Sequence, residues 1–233
     1  MQRRRRHPRG RLLGALAAGM VVAVMGGTVA APDLDRMQTQ ALQRFGSTAA
    51  ETVTAWRRML AESEEDRELD KLARVNSFFN RRLLFEDDAV VWRQNDYWAT
   101  PLETLGKGAG DCEDFAIAKY MSLRLLGVPA EKLRLIYVRA QIGAAGSGVS
   151  QAHMVVGYFA SPTDEPLVLD NLIGEIRPAA RRPDLFPVFS FNSEGLWVAG
   201  ATTSSADPTA RLSRWRDALD RMQREGLTLP QTR

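Results

Sequence analysis

Gly108-Ala109-Gly110-Asp111-Cys112-Glu113-Asp114-Phe115 is the stretch of sequence from which the fold is predicted. It holds the only cysteine of the chain, preceded by glycines and surrounded by three carboxylates. An apolar run continues to Leu126 and ends at Gly127-Val128-Pro129, which predicts a helix that begins near Cys112. Backbone N–H groups and the helix dipole stabilise a thiolate at such an N-terminus. Cys112 is therefore a candidate nucleophile, and the alternative is a buried, unreactive cysteine.

The chain has two histidines, and His7 lies in a predicted export signal. A cysteine–histidine pair in the mature protein can therefore only join Cys112 to His153. His153 lies in a predicted strand over 152–159, and a second strand over 166–170 follows a turn. If the two strands form a hairpin centred near 162–163, Asp170 comes within reach of the imidazole. Cys112, His153 and Asp170 are thus the candidate nucleophile, base and orienting carboxylate.

The acids beside the cysteine raise a question about the thiol. Asp111 and Glu113 should raise the pKa of the Cys112 thiol and oppose thiolate formation. A bound cation would remove this conflict, and several oxygen ligands suit Ca²⁺, with Asp88 as the candidate third carboxylate. The alternative is that the acids only cap the helix N-terminus, where negative charge is favourable. The residues alone favour the cap.

Residues 1–30 have the pattern of an export signal. A basic segment with six arginines precedes an apolar run over 12–29, and small residues stand before Ala31. Cleavage near Ala31 is expected, and an uncleaved membrane anchor is the alternative. In both cases the folded part lies outside the cytoplasm.

The basic isoelectric point comes from this leader. The whole chain has a formal charge of +3, whereas the chain without residues 1–30 has 25 basic and 28 acidic side chains, a net charge of −3. No nucleic-acid partner is therefore predicted.

We predict an α+β protein in four segments: signal 1–30, N-terminal helical lobe 31–84, catalytic core 85–200, and linker with C-terminal helix 201–233. Helical spacing covers 33–61, with a break at Gly46-Ser47, and 64–82. Further helix starts are predicted at Thr100-Pro101 and Asp207-Pro208. Three aromatic residues before the cysteine loop either wall a substrate cleft or pack in the core: Trp92, Tyr97 and Trp98.

Five motifs together resemble the bacterial transglutaminase-like cysteine proteinases. The likeness runs from about residue 68 to 198. The motifs are Asp96-Tyr97-Trp98-Ala99-Thr100-Pro101, Gly110-Asp111-Cys112-Glu113-Asp114-Phe115-Ala116-Ile117-Ala118-Lys119-Tyr120, Gln151-Ala152-His153-Met154-Val155, Leu169-Asp170-Asn171-Leu172-Ile173-Gly174-Glu175-Ile176 and Ser190-Phe191-Asn192-Ser193-Glu194-Gly195-Leu196-Trp197.

The resemblance implies a transglutaminase-like, papain-related fold in which the cysteine helix packs on an antiparallel sheet. It implies that Cys112, His153 and Asp170 form a triad, and that activity depends on calcium bound by Asp111 and Glu113. It further implies a periplasmic endopeptidase that cuts the N-terminal region of a large surface adhesin beside paired alanines and so releases cells from biofilm. The implied regulator is the periplasmic domain of an inner-membrane cyclic-di-GMP receptor.

Two other functions use the same residues. A transglutaminase-type acyl transferase would use the same triad with an amine in place of water as the acceptor. A non-catalytic calcium-binding adaptor would need neither the thiol nor the imidazole, and the motif context of both residues argues against it.

Overall fold

The computed structural model describes residues 31–143, 148–201 and 203–229, so the predicted signal over 1–30 lies outside the described residues. Its helices are α1 Leu34–Phe45, α2 Ser47–Ser63, α3 Glu68–Arg82, α4 Asp88–Val91, α5 Pro101–Lys107, α6 Cys112–Leu125, α7 Pro208–Arg211 and α8 Ser213–Arg224. Its strands are β1 Leu84–Phe85, β2 Ala109–Gly110, β3 Leu133–Gln141, β4 Ser150–Tyr158, β5 Leu167–Leu169, β6 Arg177–Pro178, β7 Leu185–Phe191 and β8 Leu196–Val198. Within these residues, no helix has the length and apolar character needed to cross a membrane.

The predicted helices near the N-terminus are present. Gly46, with φ of +91°, separates α1 from α2 where the sequence predicts a break. The third helix begins at Glu68, later than the predicted residue 64, because residues 64–66 form a turn in which Asp66 N donates to Ser63 O. These helices bury Met37, Trp56 and Phe79 in the same core as α6.

Two local signals fix the chain in the segment before the cysteine. Thr100 and Glu103 form a capping box at the start of α5, and Pro101 occupies the first turn, as predicted. Gly108 ends α5 with φ of +65°, which favours glycine. The next residues form β2, and α6 then begins at Cys112.

The main sheet has six strands in the order β6-β5-β4-β3-β7-β8, and all its pairs are antiparallel. Val156 pairs with Leu169, so the hairpin of β4 and β5 is centred between residues 162 and 163, as predicted. Helix α6 packs on this sheet, chiefly against β4. The predicted α+β class, with the cysteine helix packed on an antiparallel sheet, is confirmed.

The single C-terminal helix predicted from Asp207 is instead two helices. Leu212 has extended backbone angles, φ −110° and ψ 92°, and separates α7 from α8. Trp215 of α8 is fully buried, with its ring 6.0 Å from Tyr120 and 5.5 Å from Phe191. The C-terminal helix therefore packs directly on the cysteine helix and the sheet.

Glu103 joins three helices through its buried carboxylate. Arg44 of α1 is 3.1 Å away, Arg221 of α8 also donates to it, and the Tyr97 hydroxyl donates at 3.0 Å. Arg221 also donates to Trp98 O at 2.6 Å. This network holds the 96–100 segment, which leads to the site described below.

Replacing Trp215 by alanine is expected to destabilise the protein by about 3–5 kcal/mol, because it removes a fully buried aromatic side chain and leaves a cavity. Urea unfolding followed by circular dichroism measures the change. The matched control is Asp220→Ala, an exposed position on the same helix. If both variants unfold at the parent's midpoint, α8 does not belong to the cooperative core.

Candidate active site

Cys112 lies at the first turn of α6 and is partly buried. Its thiol donates a hydrogen bond to Glu113 Oε2, with 2.8 Å between Sγ and the oxygen. Burial raises the pKa of the thiol, and the charge of Glu113 raises it further, whereas the Met154 backbone N–H of β4 acts in the opposite direction. With its acids uncompensated, the site holds a protonated thiol rather than a thiolate.

His153 of β4 and Asp170, which follows β5, form a buried pair. His153 Nε2 lies 2.8 Å from Asp170 Oδ1, and both residues are 1% exposed. Leu172 N donates to the same oxygen at 3.0 Å, and Arg182 forms an ion pair with Oδ2 at 2.7 Å. Burial opposes ionisation of Asp170, but His153, Leu172 N and Arg182 together lower its pKa to about 2. Asp170 is therefore charged at neutral pH.

Cys112 and His153 line one cleft of about 720 Å³. Its apolar wall includes Tyr137 and Phe189, whose rings stack 5.1 Å apart. Trp98 also lines it and stacks on Phe191 at 5.6 Å, so this aromatic residue belongs to both the cleft and the core.

The other two aromatic residues of the predicted cluster do not line the cleft. Trp92 and Tyr97 contact each other, with ring centroids 4.7 Å apart. The Tyr97 hydroxyl donates a hydrogen bond to the Glu103 carboxylate.

A small parallel sheet brings a second acidic segment to the cysteine loop. β1 pairs with β2, and Glu86 N donates to Gly110 O at 3.0 Å, so Asp88 follows directly at the start of α4. Asp88, Asp111 and Asp114 each offer a carboxylate oxygen within 4.8 Å of the others. Asp111, Cys112 and Glu113 form a second such group.

The candidate ligands are thus divided between two groups that share Asp111.

Only glycine fits at position 110 without a shift of Asp114, since a Cβ there would lie 2.5 Å from Asp114 Oδ2.

The acidic cluster fits a bound cation. One oxygen each of Asp88, Asp111 and Asp114 is buried and has no hydrogen-bond partner among the residues that the structure describes. Burial raises the pKa of Asp88 to about 6, with repulsion from Glu113 adding to it, and burial with repulsion from Glu113 and Asp114 raises that of Asp111 to about 9. These three carboxylate oxygens are ligands of the type that Ca²⁺ prefers, and they could form part of its coordination shell.

Comparison with known proteins identifies the family. Residues 40–199 match the family described as "Bacterial transglutaminase-like cysteine proteinase BTLCP". The chain belongs to this family. No curated protein sequence matches the proteinase.

Solved structures similar to the proteinase include LapG of Legionella pneumophila. The EGTA-treated form is 38% identical, with a TM-score of 0.71, and the match covers 82% of this chain and 100% of that one. The calcium-bound form is 38% identical, with a TM-score of 0.68, and the match covers 81% and 98% of the two chains. The predicted transglutaminase-like fold is therefore confirmed.

Three polar residues at the site of the proteinase were not among the candidates. Asp114 appears in the sequence only as one of three acids near the thiol, and Arg182 and Asn80 lie outside the motif segments that contain the candidate triad. Asn80 of α3 donates to the Asp170 carbonyl at 2.8 Å. The sequence has no local signal for Arg182 or Asn80, because both contacts join segments that are distant along the chain.

Proposed function

We propose that this proteinase is a calcium-dependent cysteine endopeptidase in which Cys112, His153 and Asp170 form the catalytic triad. The observation that carries the proposal is the buried 2.8 Å contact of His153 with Asp170, together with the cleft that both His153 and the only cysteine of the sequence line. A nucleophile, a base and an orienting carboxylate are the parts that covalent acyl transfer requires.

In the proposed mechanism the two ring nitrogens of His153 have different roles. Asp170 occupies Nε2, so Nδ1 is left to exchange a proton with Cys112. After Nδ1 takes the thiol proton, Sγ attacks the peptide carbonyl carbon, and the Cys112 backbone N–H at the start of α6 donates to the oxyanion. The C–N bond then breaks, and the leaving amine takes the proton from His153. Water, deprotonated by His153, hydrolyses the thioester and restores the thiol.

The calcium requirement is proposed from the acidic cluster and the calcium-bound LapG relative. Asp88, Asp111 and Asp114 would hold the ion, with Glu113 as a further ligand. When bound, calcium supplies the positive charge that offsets these carboxylates and so lowers the pKa of the neighbouring thiol.

The proposed substrate is the N-terminal region of a large surface adhesin, whose cleavage beside paired alanines releases cells from biofilm. The proposed regulator is the periplasmic domain of an inner-membrane cyclic-di-GMP receptor, which holds the enzyme inactive. Both proposals are supported by membership of the family and by the likeness to LapG.

The deciding experiment incubates the purified enzyme with the N-terminal fragment of the adhesin from the same organism, with and without the receptor's periplasmic domain. We expect two fragments, and no cleavage when the receptor domain is in excess. Added putrescine separates the alternatives, since incorporation of the amine without a new N-terminus identifies a transglutaminase. An intact fragment and a thiol that resists iodoacetamide would identify an adaptor.

His153→Ala is expected to remove activity almost as completely as loss of the thiol. Asp170→Asn should lower kcat by about 10⁴-fold, because the orienting group acts through the imidazole. Kinetics with the adhesin fragment measure both losses, and Ser193→Ala, outside the cleft lining, is the control. Additive losses in a Cys112→Ala/His153→Ala double variant contradict a shared catalytic unit.

We also propose that the enzyme works in the periplasm after removal of residues 1–30. The mature N-terminus is expected near Ala31, because small residues precede it. N-terminal sequencing of protein from the periplasmic fraction tests this expectation. A sequence beginning at Met1 or Gln2 in the membrane fraction identifies an uncleaved anchor instead.

A further inference from the structure

Arg182 is one of the most buried charged residues near the candidate site, with 3% of its surface exposed. It follows the short 3₁₀ turn Ala179–Arg181, between strands β6 and β7. The Nη2 atom lies 2.7 Å from Asp170 Oδ2 and 2.7 Å from Asp184 Oδ2. Nε also donates to Asp184 Oδ1 at 3.0 Å, so the guanidinium has a two-point contact with that carboxylate. Asp184 thus fixes the plane of the guanidinium.

The two oxygens of Asp170 have different environments. Oδ1 accepts from Leu172 N at 3.0 Å and lies 2.8 Å from His153 Nε2. Among the described residues Oδ2 accepts no well-aligned hydrogen bond, and its ion-pair partner is Arg182. Burying this oxygen without a cation would be costly, because buried charges need a partner.

The backbone of Asp170 is held independently of its carboxylate. Asn80 of α3 donates to the Asp170 carbonyl at 2.8 Å, and Asn76, one turn earlier, donates to Gly174 O at 2.9 Å. The remaining freedom of the residue is rotation of the carboxylate, whose terminal torsion is broad and roughly two-fold. Leu172 N restricts that rotation at Oδ1, and Arg182 restricts it at Oδ2, because turning the carboxylate would move Oδ2 away from the guanidinium.

We propose that Arg182 is a positioning residue for catalysis: it fixes the rotation of the Asp170 carboxylate so that Oδ1 faces His153 Nε2. It acts through Asp170 and does not touch the reacting atoms. Loss of this contact lets the imidazole turn or change its tautomer, and small misplacements of a catalytic group are costly in rate. The inference rests on the proposed triad. It extends the machinery to a residue outside the sequence motifs that contain the triad.

The test compares four variants in cleavage of the adhesin fragment. Arg182→Met is expected to lower kcat by about 10²-fold with little change in KM, because misplacement affects the reaction and not substrate contacts. Arg182→Lys should recover part of this loss of kcat, since lysine keeps the positive charge but lacks the planar, two-point hydrogen-bonding geometry of the guanidinium. Arg177→Met is the matched control, because Arg177 pairs with Glu175 on the surface. The rate of Cys112 alkylation by iodoacetamide should fall with kcat.

Arg182→Met/Asp184→Asn, the fourth variant, keeps the test decisive if the single variant folds poorly. It removes the charge of Asp184, one of the two carboxylates that lose Arg182 as a partner, and should show the same loss of kcat. The inference is wrong if folded protein of the Arg182 variants has the parental kcat and alkylation rate. It is also wrong if the loss of kcat only matches the loss of folded protein measured by thermal unfolding. If Asp170→Asn itself keeps parental kcat, the triad fails. If only Arg182→Met keeps it, the triad stands and the positioning role of Arg182 is wrong.

Discussion

Cys112→Ala will abolish peptide cleavage, with a loss in kcat of roughly 10⁶-fold, the scale seen when a protease loses its nucleophile. The thiol supplies the bond to the acyl intermediate, and the sequence contains no second cysteine to replace it. The fold should remain intact, because Cys112 is only partly buried and alanine is the best helix former for the first turn of α6. Cleavage of the adhesin fragment and circular dichroism measure the two properties.

The matched control is Val198→Ala, which truncates an exposed side chain on β8 away from the cleft. It should cut at the parental rate. Cleavage by folded Cys112→Ala at that rate would show that another group performs the chemistry. Binding of the uncleaved fragment by Cys112→Ala is also expected, since the cleft walls are unchanged.

Removal of calcium should have the second largest effect. EGTA in excess is expected to stop cleavage and added Ca²⁺ to restore it, because the uncompensated acids keep the Cys112 thiol protonated. Asp111→Asn should be inactive at moderate calcium concentrations with its thiol still present, since Asp111 belongs to both acidic groups. Titration calorimetry and the cleavage assay measure binding and activity separately.

The same acids predict an opposite effect on stability. Without calcium, Asp111→Asn should melt at or above the parental temperature, because one of several mutually repelling buried carboxylates is gone. Calcium should then raise the melting temperature of the parent but not of the variant, by the linkage between binding and folding. Glu86→Gln, an exposed acid in the same segment, is the control. Full activity in EGTA with no heat of calcium binding would leave the acids as helix caps only.

The parts of the fold that the sequence predicts are those with local signals. Gly127-Val128-Pro129 ends the cysteine helix, Thr100-Pro101 begins α5, and the turn between β4 and β5 sets the register that brings His153 to Asp170. Each of these signals acts over a few residues, so no knowledge of distant packing is needed.

The parts that the sequence does not predict depend on contacts between distant segments. Asp114 faces Asp88 only because β1 and β2 pair, and two-residue strands have no recognisable periodicity. The break at Leu212 has no glycine or proline at that position, and Leu212 lines the cleft that α6, β3 and β4 build. Arg182 pairs with Asp170 across 12 positions, and its neighbours Arg181 and Pro183 give no indication of burial.

The packing of Trp215 has a consequence for the order of events during biosynthesis. Until α8 packs on the rest of the molecule, Tyr120 and Phe191 lack their contacts with the Trp215 ring. Glu103 likewise lacks its ion pair with Arg221. The packing around helix α6, which begins at Cys112, is therefore completed only after residues 213–224 have been synthesised. If the chain is exported N-terminus first, as proposed above, this part crosses the membrane late, and the packing around α6 would be completed only on the far side. Under the proposed export, the position of α8 late in the chain would link activity to the compartment in which folding is completed.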